Sequence, residues 1–261
     1  TPEGARDFLV PSRVHPGKFY ALPQSPQLFK QILMVSGFDR YFQIARCYRD
    51  EDARGDRQLE FTQIDMEMSF VSRDDVFRVT EGMLGHVFRH TLGLELPREF
   101  PRLSWEEAME RYGTDKPDLR FGLELQDFGP HVAGGSFSVF QEALASGGAV
   151  KVLVAPGCAG YSRKQIGELE ETAKTFKAGG LAWAKVTSSG LEGGLARFYE
   201  DTAADIIRDL GAREGDLLLF VGAPKNIARV ALGAVRSRLG RDLGLARPGD
   251  FRFLWIVDFP L

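Results

Sequence analysis

The sequence predicts an α+β fold, in which a domain built on an antiparallel hairpin is interrupted by an inserted α/β module. Two strand candidates, Tyr41 to Arg49 and Phe61 to Val71, flank a strongly charged segment, a pattern typical of a long-looped hairpin. From about Phe121 onward shorter strands alternate with helices, and the last apolar run, Phe251 to Val257, predicts a strand that resumes the first domain. We therefore expect three segments, at residues 1–120, 121–248 and 249–261.

Composition limits the kind of protein this is. With 261 residues and 44% hydrophobic content, the chain is long enough for more than one core. A net charge of −3 gives no global pull onto nucleic acid, so any RNA contact must be local. Cys47 and Cys158 are too few for a disulfide framework, and no apolar stretch approaches the ~20 residues that span a bilayer. We expect a cytoplasmic protein with no membrane partner.

The first domain should open with a helix and continue into the hairpin. Ser25 can cap this helix, Pro26 suits its first position, and Gly37 ends it. The second strand of the hairpin alternates between two sets of side chains, which are Ile64, Met66, Met68 and Phe70 against Gln63, Asp65, Glu67 and Ser69. This alternation predicts one packed apolar face and one polar face.

Two scaffold helices are predicted next. The first has apolar residues at helical spacing from Val76 to Phe88 and stops at Gly93. The second begins at Ser104, where Glu107 would complete a capping box, and ends near Gly113.

The module should contain three strands and three helices. Its predicted strands lie near Val150–Val154, Leu181–Val186 and Leu217–Val221. Its predicted helices lie near Ser162–Lys177, Leu195–Leu210 and Pro224–Leu243. The last helix carries four arginines that could touch RNA, although a solvated basic face is the interpretation we favour: Arg229, Arg236, Arg238 and Arg241.

The hairpin concentrates groups that could hold a nucleotide. Arg49, at a strand end, offers a planar fork of donors for a phosphate, and Glu51 could accept hydrogen bonds from an exocyclic amine. Phe61, on the partner strand, could stack on a purine. The alternative is that the charged loop is a solvated turn that keeps the protein soluble.

The polar row of the second strand bears on that choice. Asp65 and Glu67 need cationic partners if they are buried, because an unpaired buried charge is costly. An ammonium-bearing ligand would supply one, and so would Arg46 or Arg57. Residue types alone leave both interpretations open.

The motif Arg49-Asp50-Glu51, followed by Arg57 and then Phe61, resembles motif 2 of the class II aminoacyl-tRNA synthetases. Three further segments resemble the aspartyl-tRNA synthetases in particular, and they occur in the expected order. These are Thr1-Pro2-Glu3-Gly4-Ala5-Arg6-Asp7-Phe8, Phe19 to Lys30, and Glu60 to Asp65.

The rest of the chain extends this resemblance. Arg111 to Arg120 and Trp255 to Pro260 resemble the bacterial form of the family, and the segment between them is similar to the GAD domain. Archaeal and eukaryotic members lack that insert. The resemblance therefore implies a partial class II catalytic core with an antiparallel sheet, interrupted by a GAD-like domain.

The resemblance also implies roles for individual residues. ATP would be bound by Arg49, Asp50, Glu51, Gln58 and Phe61. Aspartate would be bound by Glu3, Ser25, Gln27, Lys30, Arg49 and Asp65. Arg49 would be the catalytic group, on the α-phosphate and the amino-acid carboxylate, and Lys30 would pair with the aspartate side chain. Mg²⁺ would accompany the ATP phosphates, with no metal site in the protein.

Several of these residues have a structural alternative. Ser25 could be only a helix cap, and Gln27 could be solvated. Lys30 could pair with Asp39 or lie along the surface. Phe61 could be ordinary core.

The implied activity is that of an aspartate–tRNA ligase, with L-aspartate, ATP and the aspartate tRNA as partners. Whether the asparagine tRNA is also charged stays open, and the intact enzyme would be a homodimer. Both ends of the chain look like cuts, and motifs 1 and 3 and the anticodon module are missing, so the piece alone is expected to be inactive. The alternatives are a sister enzyme for asparagine or lysine, and a non-catalytic tRNA-binding or regulatory protein.

Overall fold

The computed structural model describes residues 5–52 and 57–260 of the chain. It divides into two compact units, Thr1–Glu99 and Phe100–Leu261. The segment boundaries expected at residues 120 and 248 stay predictions. Mixed helices and strands with antiparallel sheets are found in both units, as the sequence predicts.

The first unit contains two antiparallel strand pairs and two helices. Its elements are β1 Leu9–Pro11, β2 Phe19–Ala21, α1 Gln27–Val35, β3 Arg40–Tyr48, β4 Glu60–Met68 and α2 Arg73–Leu92. β1 pairs with β2, and β3 pairs with β4 from Arg40 opposite Met68 to Tyr48 opposite Glu60. The predicted hairpin is therefore present, and its loop joins the ends that carry the motif.

The ends of α2 follow from local chemistry. The Ser72 hydroxyl accepts from the Asp75 backbone N–H while the Asp75 carboxylate accepts from the Ser72 N–H, which is a complete capping box. Gly93 ends the helix in the left-handed region, at φ 68°. The predicted stop at Gly93 is confirmed.

The prediction that the apolar face of β4 packs is wrong for the described residues. Ile64 is 54% exposed, and on β3 Ile44, opposite it, and Phe42, opposite Met66, are 61% and 73% exposed. The polar face is the covered one, because α1 lies against it and the Asp65 side chain is only 12% exposed. The strand also ends at Met68, since Phe70 turns into the left-handed region at φ 57°.

The second unit holds the predicted module. Its strands are β5 Arg102–Ser104, β6 Leu125–Asp127, β7 Ala149–Ala155, β8 Ala182–Thr187, β9 Gly190–Glu192, β10 Leu217–Ala223 and β11 Trp255–Val257. Its helices are α3 Trp105–Tyr112, α4 Gly129–Val132, α5 Ser138–Ala145, α6 Arg163–Thr175, α7 Ala203–Asp209 and α8 Lys225–Asp242. The three predicted strands and the helices at α6 and α8 are confirmed within a few residues.

A five-stranded sheet organises this unit, in the order β6-β7-β10-β8-β9. Every pair in it is antiparallel, so the expected α/β class is corrected, because that class implies a parallel sheet. Helices α6 and α8 cover one apolar face, and α4, α5 and α7 cover the other. Both faces are thus buried, which explains why β7 and β10 are apolar almost throughout.

Two elements of the second unit depart from the prediction. The helix expected at Leu195–Leu210 is broken into 3₁₀ turns, at Ala196–Phe198 and Glu200–Thr202, followed by the short α7. Tyr199 lies at the break with φ −136°, and its ring is buried against Phe128. The final apolar run forms only the three-residue strand β11, half-buried, which pairs in parallel with β5.

Two of the four arginines of α8, Arg229 and Arg236, are buried instead of solvated. Arg229 is 4% exposed and pairs with Glu106 and Glu110 of α3, and Arg236 is completely buried. The Arg236 guanidinium donates to four main-chain carbonyls, those of Asp118, Phe121, Gly122 and Leu123. Burial lowers its pKa. The expectation of a solvated face is therefore wrong for Arg229, which binds α3, and for Arg236, which binds the segment that precedes β6, whereas Arg241 is exposed.

Candidate functional site

The motif residues lie together at the loop end of the β3–β4 hairpin. A cavity of about 380 Å³ is lined by Arg49, Glu51, Arg57, Gln58 and Phe61. Arg49 and Glu51 follow β3, Arg57 and Gln58 precede β4, and Phe61 lies in β4. The Arg49 N–H donates to the Leu59 carbonyl (2.9 Å) and thereby extends the pairing past Tyr48. The hairpin register therefore assembles four of the five residues predicted to bind ATP.

Arg49 is held by two contacts within this cavity. Its guanidinium lies over the Phe61 ring, 5.2 Å from the centroid. Its Nε donates to the main-chain oxygen of Gln24 at 3.4 Å. Glu51 pairs with Arg57 at 3.5 Å. The fifth predicted residue, Asp50, exchanges two backbone hydrogen bonds with Arg6, both 3.0 Å long. These bonds hold its main chain in place.

Lys30 occupies the polar face of the same hairpin. Its ammonium lies 2.8 Å from Asp65 Oδ1 and 3.2 Å from Glu67 Oε2, and Lys30 is 9% exposed. Burial alone would lower the pKa of Lys30, but hydrogen bonds to Asp65 and Glu67 outweigh it and raise that pKa above its usual value. Both structural alternatives for Lys30, a pair with Asp39 and a surface position, are therefore wrong.

One oxygen of this cluster is left for a ligand. Asp65 Oδ2 is buried and has no hydrogen-bond partner among the described residues. A buried carboxylate oxygen without a donor is costly, so an ammonium or another donor placed there would be bound favourably.

The remaining predicted residues are placed as follows. Ser25 Oγ accepts a weak hydrogen bond from the Gln27 N–H at 3.4 Å, just where α1 begins. The predicted cap is wrong by one residue, because Pro26 is the N-cap of α1, without a side-chain cap hydrogen bond, and Ser25 lies just before it. Glu3 lies outside the described residues.

Three residues near the site were not assigned a role from sequence. Glu67 pairs with Lys30, Gln24 supplies a carbonyl to Arg49, and Cys47 donates from its buried Sγ to Gln63 Oε1 at 3.2 Å. The alternation of β4 places Glu67 on the same face as Asp65, so Glu67 could have been found from the sequence. Gln24 is reached only through the fold, because its contacts are with residues 17 to 25 positions away.

Neither a metal cluster nor a membrane helix is found in the described part of the chain. No three His, Cys, Asp or Glu side chains there come close enough to hold a metal ion. No described helix is long and apolar enough to cross a bilayer.

Comparison with known proteins places the chain in a family. The whole chain is similar to an aspartate–tRNA(Asp/Asn) ligase of Treponema denticola, with 63% identity over 264 residues, which span 45% of that protein. It is 56% identical to an aspartate–tRNA(Asp/Asn) ligase of Moorella thermoacetica, over 44% of that protein. It is also 56% identical to an aspartate–tRNA ligase of Exiguobacterium sibiricum, over 45% of it.

The chain thus spans just under half the length of the curated relatives it matches. A family model described as tRNA synthetases class II (D, K and N) matches residues 1–261. The match extends over every residue, and the chain therefore belongs to the class II tRNA synthetases of the D, K and N group.

Proposed function

We propose that this chain is the part of an aspartate–tRNA ligase that binds ATP and much of the aspartate. One observation carries the proposal: the β3–β4 hairpin has a cavity lined by Arg49 and Phe61 at its loop end and a buried cation, Lys30, on its polar face. A cation beside acidic groups fits an amino acid that carries both an ammonium and a side-chain carboxylate. The names of the relatives agree with that substrate.

ATP is proposed to bind in the cavity at the loop end of the hairpin. Phe61 supplies a face for the adenine, and Glu51 and Gln58 lie beside it to accept and donate hydrogen bonds. Arg49 directs its guanidinium to the α-phosphate, where it can form bidentate bonds that a lysine could not. Asp50 contributes through its backbone. Magnesium fits on the ATP phosphates, which supply the oxygen ligands that it prefers.

Aspartate is proposed to bind at the cluster of Lys30, Asp65 and Glu67 and to replace some of the contacts that these side chains make with one another. The side-chain carboxylate of the substrate takes the ammonium of Lys30, and its α-ammonium is met by Asp65, whose Oδ2 is unpartnered among the described residues. Ser25, Gln27 and Glu3 complete the ammonium site in this proposal. Asparagine would leave Lys30 without an anion, and lysine would place a second cation beside it.

The reaction needs no side-chain nucleophile. The substrate α-carboxylate attacks the α-phosphorus of ATP, pyrophosphate leaves, and aspartyl-adenylate remains for transfer to the tRNA terminal ribose. Positioning two anions in line and neutralising phosphoryl charge are what the protein contributes. Arg49 is the catalytic residue in this scheme, because it would contact the reacting phosphate.

The partners and location complete the proposal. The aspartate tRNA is the acceptor, and the asparagine tRNA stays open because the relatives carry both kinds of name. We further propose a cytoplasmic homodimer as the intact form, and a GAD-type identity for the inserted module.

Aspartate-dependent exchange between pyrophosphate and ATP tests the function. The full-length protein would be offered aspartate, asparagine and lysine separately, and exchange with aspartate alone is the expected result. Exchange with asparagine or lysine instead would assign a sister enzyme, and exchange with none of them would favour a non-catalytic tRNA-binding protein.

A further inference from the structure

Gln24 is a buried polar residue that the proposed chemistry does not use. It is 3% exposed and lies between β2 and α1, immediately before Ser25. Its side-chain Nε2 donates to the Ala5 carbonyl (3.2 Å) and to Asp7 Oδ1 (2.6 Å). Both hydrogens of the side-chain amide are therefore donated to the segment that contains Ala5 and Asp7.

The main chain of Gln24 reaches the opposite side of the site. Its carbonyl oxygen accepts from Arg49 Nε at 3.4 Å, and the preceding carbonyl, of Pro23, accepts from the Tyr48 N–H at 2.9 Å. Leu22 donates to Phe8 at 2.9 Å. Hydrogen bonds to Phe8 on one side and to Tyr48 on the other therefore hold the backbone of residues 22–24, and they orient the Gln24 carbonyl that accepts from Arg49.

A second route leads from the Gln24 side chain to Arg49. The segment that Gln24 Nε2 holds includes Arg6, whose backbone exchanges two hydrogen bonds with Asp50. Asp50 is the neighbour of Arg49 in the chain. The side chain therefore steadies the backbone beneath Arg49, and the main-chain carbonyl steadies its guanidinium.

We propose that Gln24 is a positioning residue for Arg49, an inference that rests on the proposed adenylate-forming function. The arginine side chain has several rotatable bonds, and the catalytic value of its guanidinium depends on pointing at the α-phosphate before the reaction. Gln24 acts through Arg49 and makes no contact with substrate. Its loss should therefore lower the rate of the chemical step more than the affinity for either substrate.

The test compares variants of the full-length protein in aspartate-dependent pyrophosphate exchange. Gln24→Met keeps the length of the side chain and removes both donors. We expect kcat to fall on the order of 10- to 100-fold, as is usual when a reacting group is slightly misplaced. The KM for ATP should change by less than about threefold, and the urea midpoint of unfolding should stay close to that of wild type. Gln141→Met is the matched control, since that exposed amide donates to the Gly135 carbonyl in the second unit and its loss should leave kcat unchanged.

A double variant that exchanges the amide of Gln24 and the carboxylate of Asp7 tests whether kcat can be restored. Gln24→Glu alone places a second carboxylate at the 2.6 Å position of Asp7 and should be as defective as Gln24→Met. Combining it with Asp7→Asn lets the asparagine amide donate to the new carboxylate, and kcat should recover by at least tenfold.

Three results bear on the proposal separately. A wild-type protein without aspartate-dependent exchange overturns the proposed function itself. With an active wild type, a kcat of Gln24→Met within twofold of normal overturns the positioning role. A fall in kcat that merely follows the loss of folded protein in urea, with no rescue by the double variant, also overturns it.

Discussion

Lys30 shows how burial and charge are balanced at a single residue. Its ammonium is tolerated at 9% exposure because Asp65 and Glu67 replace the lost hydration. Since the folded pKa of Lys30 is raised, its charged form stabilises the fold at physiological pH, and this contribution is lost as the pH rises above the ordinary lysine pKa of about 10.4 and through the folded pKa. Asp65 Oδ2 has no hydrogen-bond partner among the described residues. The charges of the cluster therefore compensate one another in the folded protein, while this oxygen can still accept a hydrogen bond from a ligand.

Replacing Lys30 should weaken the choice between aspartate and asparagine. Lys30→Met removes the partner proposed for the substrate side chain. In the full-length protein, the ratio of kcat/KM for aspartate over asparagine should fall by about 1.5 to 3.5 orders of magnitude, which corresponds to the about 2–5 kcal/mol that a buried charge partner is worth. Pyrophosphate exchange with each amino acid measures this ratio. Lys18→Met, on an exposed lysine, should leave it unchanged, and an unchanged ratio for Lys30→Met would remove Lys30 from substrate selection.

The site could be found from the sequence only in part, and the reasons are local. Spacing along β4 predicts that Asp65 and Glu67 share a face, because side chains alternate in any strand. The partner of those carboxylates is Lys30, 35 residues earlier, and no periodicity reports such a distance. The same limit applies to Gln24, whose partners lie on two other segments.

At the scale of elements, helix ends and strand positions were the most predictable features. Gly93 and Ser104 act through residues three or four positions away, so the sequence predicts these helix ends. Strand direction cannot be predicted in this way, because a sequence in which strands alternate with helices is compatible with both parallel and antiparallel pairing. The antiparallel pairing of β7 with β10 joins residues more than 60 positions apart, and the burial of Arg229 and Arg236 depends on contacts more than 100 positions apart.

The packing of α3 on α8 requires glycine at the crossing point. A Cβ at Gly233 would lie 2.6 Å from the Tyr112 carbonyl oxygen, and backbone cannot give way as a side chain can. Gly233→Ala should therefore lower the free energy of unfolding of the second unit by about 1–3 kcal/mol. Urea denaturation measures the change. Gly167→Ala on α6, where nothing lies within 4 Å, should instead be neutral or stabilising by up to about 1 kcal/mol. Equal effects of the two substitutions would contradict this account.

Glu110 of α3 makes the stability of this unit depend on pH. Although partial burial opposes it, hydrogen bonds from Lys151 and Arg229 hold the pKa of Glu110 below its usual value. A lowered folded pKa stabilises the fold above the unfolded value of about 4.3, and this contribution is lost as the pH falls through the folded pKa.

Glu110→Gln should reduce the free energy of unfolding by about 1–3 kcal/mol at pH 7, a range set low because the carboxylate is 39% exposed. The difference from wild type should shrink below about pH 4.3. Urea denaturation between pH 3 and 7 measures it. Glu107→Gln, which breaks an exposed pair with Arg111, should cost less than about 1 kcal/mol at any pH. A difference for Glu110→Gln that is constant with pH would refute the ionic origin.

At the scale of the molecule, the two units differ in how much core they possess. Among the described residues of the first unit, the buried apolar side chains are Ala45, Cys47 and Phe77. The second unit has two clusters, one on each face of its five-stranded sheet. Apolar side chains such as Phe42 and Phe70 on the first unit are left uncovered by the described residues.

The units should therefore differ when produced separately. Residues 100–261 should unfold cooperatively in urea, because both faces of their sheet are already buried. Residues 1–99 should bind a hydrophobic dye and show no sharp transition, since too little apolar surface is buried to offset chain entropy. Dye fluorescence and denaturation curves on both pieces measure this. A cooperative transition in residues 1–99 would show that the exposed apolar faces need no cover.

The parallel pairing of β5 with β11 has a consequence for how such a gene can change. Residues 105–254, the whole layered module included, form the crossover between these two neighbouring strands. The end of β5 and the start of β11 are separated by about one three-residue strand, roughly 10 Å. A recombination event could therefore lengthen, shorten or exchange everything between them while both strands kept their register. The module occupies a place in the chain where an ancestor could acquire a new domain, or a descendant lose one, in a single step.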